Sequence, residues 1–76
     1  MVNIVHVVSE DWEGLYVNGK LYDEGHSIPL DTFKHALSDG WKSWEDVELV
    51  GAEWLALEGS LPSELLDLYL KLATEG

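Results

Sequence analysis

Residues 15–28 read LYVNGKLYDEGHSI, and the pair Asn18-Gly19 in their middle decides the fold. A two-residue type I′ turn needs positive φ at both central positions, and Asn-Gly tolerates that best. With apolar residues alternating on either side, the stretch predicts a tight β-hairpin. Counting outward sets Val17 opposite Lys20, Tyr16 opposite Leu21, Leu15 opposite Tyr22 and Gly14 opposite Asp23. Leu15, Val17 and Tyr22 then share one side, the better core candidate, with Tyr16 and Leu21 on the other. One further step would oppose Glu13 and Glu24. Like charges directly across a ladder are destabilising, so pairing is expected to stop there.

Upstream, residues 2–8 (VNIVHVV) are β-branched and nearly all apolar. Val2, Ile4, His6 and Val8 fall on one face, Val5 and Val7 on the other, which predicts a strand covered on both sides and central in its sheet. Residues 9–14 (SEDWEG) make a polar turn. Downstream, HSIPLDTFKHALSDG (26–40) predicts a helix capped by Ser27 or Ile28, with Pro29 in its first turn, Asp31 at the positive end of the dipole and Gly40 at its end. Its apolar stripe is Leu30, Phe33 and Leu37.

Residues 41–59 (WKSWEDVELVGAEWLALEG) give conflicting signals. Ser43 followed by Asp46 resembles a capping box, while Val47 and Leu49 alternate as in a strand. One bent strand or two short ones, broken near Gly51, is the expectation. The clearest helix is SLPSELLDLYLKLATEG (60–76), with Ser60 as cap and Pro62 in the first turn. Leu61, Leu65, Leu68, Tyr69 and Leu72 form one face. Leu66, Leu70 and Ala73 widen it beyond the stripe of an ordinary surface helix, so part of it is expected to lie in a groove or to meet another chain. Together these elements predict a single α+β domain over residues 1–76 in the order β-β-β-α-β(β)-α. A small, mostly antiparallel sheet would be covered on one face by both helices.

The chain has 76 residues, 46% of them hydrophobic, with four tryptophans and no cysteine. That content suits a folded domain, though so short a chain buries only about 60% of its unfolded surface and has a thin stability margin. Disulfides and thiolate metal sites are excluded. The formal net charge is −11, from 15 acidic and four basic residues. Direct binding to a nucleic-acid backbone or to an anionic membrane needs Lys and Arg, so neither is expected. The first residues lack a basic n-region, and no apolar run approaches the roughly 20 residues that span a bilayer. A cytoplasmic protein is the expectation.

The acids include three adjacent pairs, Glu10-Asp11, Asp23-Glu24 and Glu45-Asp46. Chance placement at this density gives about three, so the pairs carry no excess signal for acid–base chemistry. Neither SEDWEG nor YDEGHS matches a calcium loop, which needs alternating oxygen ligands, a glycine at the sixth position and a closing glutamate. His6, His26 and His35 lie on different elements at no metal-ligand spacing. Asp23, Glu24 and His26 read as punctuation between hairpin and helix. No serine occupies a nucleophile elbow, no glycine-rich phosphate loop occurs, and a chain this short leaves little room for a large pocket. No catalytic residue, metal or cofactor is therefore expected.

Tryptophan is enriched at binding hot spots. Trp54, in an apolar run, is a core residue. Trp41 and Trp44 flank a charged turn and Trp12 has only charged neighbours, so these three are candidate partner anchors, with Leu66 and Leu70 from the wide helix face. Residues 14–28 resemble, in their turn chemistry, stretches of small bacterial and phage-encoded proteins; the resemblance names no family and assigns no functional residue. The expected function is non-enzymatic protein–protein interaction, with a second copy or another protein as partner. The alternatives are an acidic nucleic-acid mimic or phage-type inhibitor of a DNA- or RNA-handling protein, and a carboxylate-based site for a metal or small molecule.

Overall fold

β-Branched residues dominate the N-terminal segment, and it forms strand β1, Val2–Val8. The structure, a computed structural model, describes residues 2–75; Met1 and Gly76, the ends of the expected domain, lie outside the described residues. After β1 come β2 (Glu13–Val17), β3 (Lys20–Gly25), α1 (Leu30–Ala36), β4 (Trp41–Glu48), α2 (Glu53–Glu58) and α3 (Leu65–Glu75). The strands make one sheet in the order β3-β2-β1-β4. β1–β2 and β2–β3 are antiparallel, and β1–β4 is parallel. The α+β class and the internal position of β1 match expectation.

Asn18 (φ 53°) and Gly19 (φ 82°) both adopt the left-handed turn conformation the hairpin requires. Val17 pairs with Lys20 and Tyr16 with Leu21 as counted, but a bulge at Tyr22 then shifts the ladder. Leu15 faces Asp23, Gly14 faces Glu24 and Glu13 faces Gly25. The extra residue thus separates Glu13 from Glu24 while pairing continues, where the sequence predicted an end to the ladder. It also turns Tyr22 outward, 49% exposed, so Tyr22 is not part of the core. Tyr16 and Leu15 are both fully buried, which makes both sides of the hairpin core.

Each sheet face carries its own apolar cluster. On one, Ile4 and Leu15 meet Ile28 and Ala36, with Val2, Val17, Phe33 and Leu37 packed around them. On the other, Val5, Val7 and Tyr16 meet Leu49, Trp54, Leu55, Leu61 and Leu68. α1 therefore covers one face and α2 with α3 the opposite one, correcting the expectation that both helices share a face. The physical reason lies in β1: its two apolar faces each require a cover. Fully burying a side chain such as Ile4, Leu15 or Leu68 contributes about 1.5–3 kcal/mol. The Tyr16 hydroxyl donates to the Pro62 carbonyl (2.5 Å) and fixes the segment before α3 to the sheet.

Three helix boundaries differ from the sequence reading. Pro29, in extended conformation, is the cap residue of α1, and neither Ser27 nor Ile28 caps it; the Ile28 N–H goes to Glu13 Oε2 (2.8 Å). Residues 53–58 are helical instead of forming a second strand, and Gly59 (φ 75°) closes them in a left-handed cap. α3 starts at Leu65, so Ser60 does not cap it and Pro62 precedes it. The preceding residues bind the outer edge of β3. Leu21 N–H donates to Ser63 O (2.8 Å), Leu65 N–H donates to Gly19 O (2.8 Å), and Lys20 forms an ion pair with Glu64.

Candidate interaction surface

The carboxylates between hairpin and helix are consumed internally. Glu24 Oε1 accepts the Trp12 indole N–H (3.0 Å) and the Leu61 N–H (2.7 Å), joining the β1–β2 turn, β3 and the approach to α3. Asp23 accepts the N–H of Glu24 (2.9 Å) and the Thr32 hydroxyl of α1 (3.2 Å). The His26 ring bonds the Asp11 carbonyl through Nδ1 (3.0 Å) and meets the Trp12 ring edge-on at 5.0 Å. These groups hold elements together.

His6 lies on the α1 face, with Nδ1 3.4 Å from Asp46 and Nε2 3.6 Å from Glu13. Phe33 and Trp44 press edge-on against its ring at 5.4 and 6.3 Å, and Nε2 has no hydrogen-bond partner. The topology brings these groups together from four elements, which no local spacing announces. Among the described residues no group of His, Asp and Glu side chains could hold a metal ion. A cleft of about 410 Å3 lies between the β1–β2 turn and α2, with Trp12, Ala52, Leu55 and Ala56 among its lining residues. So short a chain is expected to leave little room for a large pocket, but the separation of α2 from the turn opens this one.

The five partner candidates fall in two groups. Trp12 is half-buried, packs against the larger core cluster and is held by Glu24, so it is not a free anchor. Trp41 (51% exposed) and Trp44 (37%) stand on β4, with ring centroids 6.3 Å apart. Leu66 (68%) and Leu70 (55%) occupy the outer side of α3, while Leu68 on its inner side is fully buried. Tyr69, not singled out from sequence, ties α3 to β4: its hydroxyl donates to Glu45 Oε1 (3.4 Å). Burial, then the Glu45 charge and this hydrogen bond, raise the Tyr69 phenol above its ordinary pKa.

β4 is a terminal strand of the sheet. Leu49 just beyond it donates to the Val8 carbonyl (2.8 Å), so by strand alternation Glu48, Asp46 and Trp44 direct their N–H and C=O groups away from β1. Residues 41–46 and 48 are exposed. The exposed indoles lie on the α1 face of this open strand, and the outer leucines of α3 belong to the layer on the opposite face of the sheet. No helix is long and apolar enough to cross a membrane among the described residues. Compared with known proteins, the chain matches no family model, no curated protein and no solved structure at a significant level.

Proposed function

We propose that this chain is a non-catalytic protein–protein interaction module of the cytoplasm that docks through the exposed aromatics of β4 and the outer side of α3. The observation that carries this reading is the pair of exposed indoles on an open strand edge. Large apolar groups cost solubility when left in water, and Trp in particular anchors interfaces by filling partner pockets. The internal bonding of Asp23, Glu24 and His26 supports the same reading, because it commits these loop groups to holding the fold.

The test is affinity capture from a lysate with the intact chain and two surface variants, Trp41→Ser/Trp44→Ser and Leu66→Lys/Leu70→Lys. Circular dichroism verifies that each variant folds. The reading expects a captured protein that at least one variant loses. Capture of nothing by the parent chain, or identical capture by all three, would refute it.

A further inference from the structure

We infer that β4 is the docking edge for an extended segment of a partner protein that carries Lys or Arg at alternate positions and joins the sheet as a fifth strand. The inference rests on the interaction-module reading and names its mode and partner chemistry. The fold treats its two sheet edges differently. The β3 edge is closed by the chain itself, through Leu21 to Ser63, Leu65 to Gly19 and the Lys20–Glu64 pair. Among the described residues the β4 edge has no such cover, although β4 is the longest strand of the sheet, at eight residues.

Open edges normally invite indiscriminate pairing, and charged side chains suppress it. Here the charge is nearly all of one sign. Glu45, Asp46 and Glu48 are exposed on β4 and face a single lysine, Lys42, which sits at a bulge. A second copy would bring three more acids and one lysine to the same ladder, joining two bodies of net charge −11. A basic strand meets the opposite situation: the charges that repel a copy attract it. Opposed unlike charges across a ladder are stabilising and also steer the encounter.

Register defines the pattern. Trp44, Asp46 and Glu48 pair with Ile4, His6 and Val8, so their side chains share the α1 face while their backbone groups point outward. An added strand with a basic residue at every second position would set its basic side chains along this face, beside Asp46 and Glu48 and next to the Trp44 ring. On the opposite face Glu45 is held by Tyr69. Main-chain hydrogen bonds then supply affinity and alternate side chains supply selectivity, as in other cases of strand addition.

Four eight-residue probes test this with the isotope-labelled full chain: alternating Val–Lys, alternating Val–Glu, and two Val–Lys peptides N-methylated on every second residue, one in each phase. The Val–Lys peptide is expected to slow amide exchange at Trp44, Asp46 and Glu48 by at least about tenfold, less so as salt rises. Val–Glu should bind at least about tenfold more weakly, and Asp46→Lys/Glu48→Lys should reverse that preference. One methylation phase should abolish binding while the other leaves it. Absence of protection at these amides, equal binding of both peptides, or indifference to both methylation phases would overturn the inference. A lysate partner lost with Leu66→Lys/Leu70→Lys but kept by Asp46→Lys/Glu48→Lys would overturn the edge assignment and leave the interaction module standing.

Discussion

Glu24 shows how much one side chain can organise. Its Oε1 serves two donors, Trp12 Nε1 and Leu61 N, drawn from opposite ends of the chain. Glu24→Ala would strand both, and a buried donor without an acceptor costs about 1–3 kcal/mol. Urea unfolding should show that loss, with Glu24→Gln losing less because an acceptor oxygen remains. Tyr16 adds a pH signature. Burial, then the charges of Glu24 and Asp67, raise its phenol well above the ordinary value, so the folded chain holds this proton more tightly than the unfolded one. The resulting stability is complete below the unfolded value near 10 and is lost as pH rises beyond it. Tyr16→Phe should be about 1 kcal/mol less stable at neutral pH, for want of the bond to Pro62, yet lose less stability above about pH 10.

Among the elements, α3 separates its roles by side. Leu68 is fully buried and Leu66 is 68% exposed. Leu68→Ala should cost about 2–5 kcal/mol in a denaturant titration, and Leu66→Ala less than about 0.5 kcal/mol. Helix width announced this division in sequence, since Leu66 and Leu70 exceeded a single stripe. Asn18-Gly19 announced the hairpin, because the turn's demand is local. The bulge at Tyr22 was not legible: it brings Glu24 to Leu61, a contact between distant residues. α2 was missed because six residues give too little periodicity, although Ala, Leu and Glu before Gly59 favour a short helix. Which face each helix covers, and the parallel pairing of β4, depend on topology that no local pattern encodes. The candidate docking residues were half legible. The indoles and leucines could be named, but the open edge of β4 that carries the indoles could not.

For the whole molecule, charge and thinness dominate. The Cα extents are 35 × 22 × 17 Å, so little of the chain lies far from water, and a net charge of −11 is spread over it. Self-repulsion of this kind destabilises the folded state and is screened by salt. The exposed lysine pairs, Lys20–Glu64 and Lys71–Glu58, oppose the trend, but such pairs contribute only about 0–1 kcal/mol each. The Tm should therefore rise between very low and roughly physiological ionic strength, about 0.15 M. A fall on adding salt would mean that the lysine pairs outweigh the repulsion.

The parallel pairing of β1 with β4 also sets an order of events as the chain leaves the ribosome. β1, β2 and β3 are consecutive and close through short turns, whereas β4 must wait for α1 to be synthesised and swing back. Closing that longer loop costs more entropy, so a three-stranded nucleus should precede it. Until β4 arrives, one side of the valine-rich first strand is bare, and nascent chains are at their most adhesive. φ-values near zero for Val47, against high values around Asn18-Gly19, would record this sequence.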